Sequence, residues 1–195
     1  GTTMNARRGY CWRIVAVLAL TGVGFFQILA YWGLRSTTAT NGALLNSSVP
    51  VLVVILSAAF FGVRLSWRIG AGVLLSLLGV VVIIIRGDPG VLIGLRFNAG
   101  DLVILAAMVI WALYTIALRW RPQGVHPVSL LAATFAIGWV ITACCYSIEL
   151  ALGVRGRYEP ATMAGLAWIG VFPSLVAYFC WNIGVARVGA ARAGV

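Results

Sequence analysis

Long apolar runs alternate with short clusters of Arg, Asp, Glu, Pro and Gly along the whole chain. The runs fall roughly at residues 14–34, 42–62, 69–85, 102–118, 128–148 and 161–186, and a seventh begins near residue 190. At about 1.5 Å of rise per residue, each is close to the ~20 residues that cross a hydrocarbon layer of about 30 Å. Strands of a membrane barrel would alternate apolar and polar residues over about ten positions. The run "VLLSLLGVVVIII" (Val73–Ile85) does not alternate. The pattern therefore predicts an all-α polytopic membrane protein, a bundle of spanning helices.

Composition agrees. The chain is 62% hydrophobic and 9% charged, with 23 Gly and 8 Trp, and its mean hydropathy is +1.03. A water-soluble domain needs far more charge to cover its surface. The net charge of +10 would suggest nucleic acid in a soluble protein, but all 14 basic residues are Arg and they stand between the apolar runs. Topology explains them better, and no nucleic-acid partner is expected. The basic start "GTTMNARRGYCWR" has no small-residue cleavage site after it and reads as a loop, not as a signal peptide.

Counting by side orients the chain. Arg7, Arg8, Arg13, Arg64, Arg68, Arg119, Arg121, Arg187 and Arg192 fall on one side, and Arg35, Arg86, Arg96, Arg155 and Arg157 on the other. Asp88, Glu149 and Glu159 join the second group. The positive-inside rule places the first group in the cytoplasm. The longest connection, "RGDPGVLIGLRFNAGD" (Arg86–Asp101), carries an Asp-Pro-Gly turn and divides the chain into halves.

The halves echo one another weakly. Sliding Trp32–Leu44 onto Ile183–Val195 places Gly33 on Gly184, Leu34 on Val185 and Ala39 on Ala190, an offset of 151 positions. Five crossings separate the two pieces, so they lie on opposite membrane faces, the relation of inverted repeats in secondary transporters.

Three longer stretches carry a family resemblance. "GLRSTTATNGALLNSSVPVLVVILSAAFFGVRLSWRIGAGVLLSLLGVVVII" resembles the end of the first repeat in EamA-type members of the drug/metabolite transporter superfamily. "GDLVILAAMVIWALYTIALRW" is similar to the opening of their second repeat, and "PSLVAYFCWNIGVARVGAARAG" to its third and fourth helices. The resemblance covers residues 14–195 and implies ten helices in two inverted five-helix repeats around a central cavity. On that plan the chain holds helices three to eight and the start of nine, a fragment lacking both ends. It implies residues 1–86 as the end of the first repeat, 87–100 as the inter-repeat linker and 101–195 as the start of the second. Val63 departs from the family, which often carries an acid before "RLS".

Polar residues inside a span are costly and mark a cavity or a helix contact. In the sixth run Ser174, Tyr178, Trp181 and Asn182 form one helical stripe, preceded by Pro173, whose kink would free a carbonyl. Trp111, Tyr114 and Thr115 share a face of the fourth run; Gln27 and Tyr31 stand one turn apart in the first; Asn46, Ser47 and Pro50 mark the second. The candidate substrate cavity is thus Gln27, Tyr31, Asn46, Ser47, Pro50, Trp111, Tyr114, Ser174, Tyr178, Trp181 and Asn182. Each also has a plainer reading as helix packing or interfacial anchoring. Gly72, Ser76 and Gly79 read as a small-residue stripe for close helix approach.

The expected function is a secondary carrier, an exporter or permease for small metabolites, amino acids or drug-like solutes in a bacterial inner membrane. The competing classes are a non-transporting scaffold and an intramembrane enzyme. No Lys supplies a Ser-Lys dyad, no acid pair lies mid-span, and His126 stands alone in a loop, so no catalytic residue, metal or cofactor is expected. The four cysteines lack CxxC spacing and read as packing residues. The expected partners are the lipid bilayer and a small-molecule solute; a coupling ion and a homodimer stay open.

Overall fold

The computed structural model describes residues 11–62, 66–85, 90, 98–122, 124–156 and 158–193. Arg7, Arg8, Val63, Arg64, Arg86, Asp88, Arg96, Arg157 and most of the inter-repeat linker lie outside the described residues. Every regular element among the described residues is helical. They are α1 (Cys11–Leu34), α2 (Ala39–Phe61), α4 (Ala99–Trp120), α5 (Pro127–Ala151) and α6 (Pro160–Val188), each long and apolar enough to cross a membrane. Between α2 and α4 runs α3 (Trp67–Ile85), whose apolar stretch Trp67–Gly79 is shorter. A single turn, α7 (Ala190–Ala193), follows Gly189 at the point where a seventh run is expected. Gly189 has φ 85°, a left-handed backbone that favours glycine.

Caps push the helices a few residues past the apolar runs. The Thr38 hydroxyl accepts from the Asn41 N–H at the start of α2. Asn98 and Asp101 form a reciprocal capping box on α4. His126 is not merely a loop residue: its Nδ1 accepts from the Val128 N–H at 3.3 Å and so caps α5. Pro127 and Pro160 occupy first-turn positions, where a missing N–H costs nothing.

Helix α4 is the centre of the bundle. It packs against α1 and α2 along their lengths, while α5 packs on the middle of α1 and on α6. Ile104, Ala107, Met108 and Ala112 of α4 are buried against Val49 and Val53 of α2. Tyr114, Ala117 and Leu118 join Leu18, Leu130, Leu131 and Tyr178 in a second core. The outward faces stay apolar: Leu74, Leu75 and Leu78 of α3 and Trp168 and Phe172 of α6 are exposed, as lipid contact requires. The protein is thus a multi-pass membrane protein.

Close approach is set by glycines other than those the stripe of small residues suggested. A Cβ on Gly33 would lie 2.6 Å from Ile104 Cγ1, one on Gly100 2.7 Å from the Gly33 carbonyl oxygen, and one on Gly138 2.3 Å from Val23 Cγ1. Gly79 instead faces open space, and Ser76 lines a cavity. All four cysteines are free thiols, and Cys144 and Cys180 are exposed rather than packed.

Candidate functional site

Two spanning helices widen beside the centre of the bundle. In α1 the segment Ala19–Phe25 is a π-helix, and in α6 so is Gly170–Val176. Pro173 explains the second: it has no N–H to give the Ile169 carbonyl, and the turn opens around it. The carbonyl that Pro173 leaves is not handed to the cavity. The Ser174 hydroxyl donates to it at 2.9 Å. Helix α2 breaks as well, at Ser47 and Ser48, whose hydroxyls donate to the carbonyls of Leu44 and Leu45 at 2.6 Å each. Such back-bonding loosens a helix just ahead of Pro50.

The irregular parts of α2 and α6 border a cavity of about 570 Å³, which α1 reaches just past its π-helical segment. Helix α1 contributes Phe26, Gln27 and Tyr31, and α2 contributes Asn46, Ser47, Val49 and Pro50. Trp111 comes from α4, and Ile169, Pro173, Ser174, Ala177, Tyr178 and Trp181 from α6. Ser76 of α3 completes the wall. The sequence-derived candidates Gln27, Tyr31, Asn46, Ser47, Pro50, Trp111, Ser174, Tyr178 and Trp181 therefore share one space, although they come from four helices.

Tyr114 and Asn182 do not line it. The Tyr114 hydroxyl donates to Asn182 Oδ1 at 2.5 Å, tying α4 to α6. Tyr114 is 2% exposed, so its ring and hydroxyl are committed to packing. The cavity residues that the sequence reading missed are Phe26, Val49, Ser76, Ile169 and Ala177. Only Ser76 carried a polar signal.

Trp111 is the hub of an aromatic wall. Its ring centroid lies 4.7 Å from Phe26, 5.1 Å from Tyr114, 5.0 Å from Tyr178 and 6.0 Å from Trp181. Hydrogen bonds fix the rings' polar ends. The Trp181 indole N–H donates to Thr115 Oγ1 at 3.2 Å, and Thr115 donates in turn to the Trp111 carbonyl. The Tyr178 hydroxyl donates to the Gly22 carbonyl in the π-helical part of α1. By contrast, the side-chain amides of Gln27 and Asn46 have no hydrogen-bond partner among the described residues. They leave donors and acceptors facing the space.

No charged side chain lines this cavity among the described residues. A larger vestibule of about 910 Å³ adjoins it through Gln27, Tyr31, Ile169 and Ser174. Its far end holds Arg35 of the loop after α1 and Glu149 of α5, an ion pair of 3.0 Å with both side chains substantially exposed. Close by, Asp101 sits buried at the head of α4. It accepts from Thr37, from the Asn41 amide and from the Asn98 N–H. The shared partners make this carboxylate part of the joint between α1, α2 and α4. The arrangement as a whole is an aromatic-walled cavity, free of charged side chains among its described lining residues, that continues into a larger and mostly apolar vestibule.

The chain is similar to several known proteins. An uncharacterized transporter of Bacillus subtilis (strain 168) is 28% identical over 90% of this chain and 58% of its own length. A "probable terminal-alkyne amino-acid exporter" of Streptantibioticus cattleyicolor is 28% identical over 91% of this chain and 58% of its own. An aromatic amino acid exporter of Ancylobacter novellus is 28% identical over 86% of this chain and 56% of its own. The chain thus spans a little over half the length of these relatives. No solved structure matches it. The EamA-like transporter family matches residues 3–85 and 98–195, on both sides of the long connection, and the chain belongs to that family.

Proposed function

We propose that this chain serves in a secondary carrier that moves a small, amino-acid-sized solute across a bacterial inner membrane. The observation that carries the reading is the cavity itself. It has an aromatic wall around Trp111, and among the described residues its Gln27 and Asn46 amides have no hydrogen-bond partner and its lining carries no fixed charge. Such a site binds an apolar or aromatic side group by contact area and orients its polar groups by hydrogen bonds. Two of the similar proteins are named as amino-acid exporters, which supports the same solute class.

Alternating access follows from the way the cavity is built. Its walls come from α1–α3 on one side of the long connection and from α4 and α6 on the other. Rocking these two groups would expose the cavity to each side in turn. Residues 1–86 then act as the end of one repeat and 101–195 as the start of its inverted partner, with the arginine-rich end in the cytoplasm. The solute undergoes no covalent change in this scheme, so the protein works as a carrier and not as an enzyme.

The test is flux in proteoliposomes carrying the full-length protein, loaded with a panel of labelled amino acids and hydrophobic drugs. Counterflow of at least one aromatic or aliphatic amino acid above empty liposomes is expected, and Trp181→Ala should depress it while insertion stays normal. No flux across the whole panel would favour the non-transporting scaffold instead.

A further inference from the structure

A second cavity, of about 590 Å³, lies at the arginine-rich end of the bundle, away from the solute site. Arg119 and Arg121 at the end of α4 and Arg192 of α7 all line it, and no carboxylate does among the described residues. Topology accounts for arginines at this end in general. It does not account for three that face one concavity, while Arg68 and Arg187 of the same end lie outside its lining. Nor does it account for Ser57. That residue is 3% exposed and lines the same cavity, yet its hydroxyl has no hydrogen-bond partner among the described residues. A buried hydroxyl left unpaired is costly, and a ligand that accepts from it would remove the cost.

Arg119 is held ready. Its guanidinium carbon stands 4.5 Å from the Phe61 ring centroid, stacked over an aromatic face that also borders the cavity. Stacking fixes the plane of the guanidinium and leaves the N–H groups at its edge for a planar or tetrahedral oxyanion. Guanidinium groups converging with a hydroxyl donor, without a compensating acid, match phosphate oxygens. We propose that this cavity binds a phosphate-bearing anion, either the phosphodiester headgroup of an anionic lipid or free phosphate. Arg119, Arg121 and Arg192 carry the charge recognition, and Ser57 donates the innermost hydrogen bond once its buried hydroxyl rotates toward the ligand.

The experiment is native mass spectrometry of the full-length protein in neutral detergent, titrated with phosphatidylglycerol or phosphatidylcholine. A parallel thermal-stability series uses inorganic phosphate, with sulfate-free chloride as the ionic-strength control. Preferential retention of phosphatidylglycerol is expected. It should fall roughly fivefold for each arginine removed in Arg119→Gln and Arg121→Gln, the effect of about one basic residue facing an anionic headgroup. The charge-matched pair Arg68→Gln and Arg187→Gln should leave it unchanged. Ser57→Ala, which keeps every charge and so preserves insertion, should weaken it by a smaller factor. If lipid is not discriminated but phosphate raises the melting temperature of the wild type and not of Arg119→Gln, free phosphate is the ligand. Equal loss in both charge-matched pairs, or no response to either probe, would overturn the proposal.

Discussion

The Tyr178 hydroxyl donates to the carbonyl oxygen of Gly22, joining α6 to the π-helical part of α1 across 156 residues of sequence. The bond makes one wall of the aromatic cavity depend on two helices at once, because Tyr178 is 4% exposed and its ring also packs against Trp111 and Phe135. Tyr178→Phe keeps the ring and removes only the donor. It should cost about 1 kcal/mol, a typical net value for one hydrogen bond. In a chain of this size that lowers the melting temperature by roughly 2–4 °C, which a thermal scan in detergent would read.

Glycines at the helix crossings should respond by position and not by residue type. A Cβ on Gly33 would stand 2.6 Å from Ile104 and 2.9 Å from the Gly100 carbonyl oxygen. The second neighbour is backbone and cannot turn aside, so Gly33→Ala should destabilise by about 1–3 kcal/mol. Gly79→Ala adds a methyl where nothing lies within 4 Å. Its expected effect is zero or a gain of about 0.5–1 kcal/mol from helix propensity. Denaturation of the two variants side by side checks the contrast.

Asp101 is the buried acid at the head of α4, and its partners identify it as structural. Asp101→Ala removes the acceptor for Thr37, for the Asn41 amide and for the Asn98 N–H together. Loss of the cap and of the buried acceptor should cost about 1–3 kcal/mol. Asp101→Asn, which keeps one oxygen acceptor, should fall between the two in melting temperature. If Asp101 instead carried a coupling proton, Asp101→Asn would abolish proton-driven flux at unchanged stability.

Trp111 touches four other aromatic rings. Trp111→Ala should reduce solute flux about tenfold, since aromatic pairs of this kind contribute about 0.5–1.5 kcal/mol each beyond area. Trp111→Phe should retain part of it. Vesicle flux normalised to inserted protein separates this from a loss of expression.

Five of the six spans were legible because apolar run length is a direct consequence of bilayer thickness, and the starts of α2, α4, α5 and α6 moved by a cap or a Pro. The gathering of Gln27, Asn46, Trp111 and Trp181 around one space rested on another principle, that polar groups avoid lipid. That principle says a residue turns inward without saying toward what. Asn182 shows the gap: it shares a stripe with Trp181, yet it turns to Tyr114 while Trp181 reaches the cavity. A π turn upstream shifts the phase of the whole face, and only Pro173 hinted at it. Glycine spacing was equally silent about neighbours. Gly33 is wedged against α4, while Gly184, its counterpart in the weak internal repeat, has nothing within 4 Å.

The contact between Arg35 and Glu149 bridges the far end of the vestibule between the loop after α1 and the end of α5. An exposed pair of this kind holds its partners by no more than about 1 kcal/mol, which is less than twice the thermal energy. It cannot act as a lock. Either side chain can leave the other on thermal energy alone, so the far end of the vestibule can open without any partner having to be broken away first.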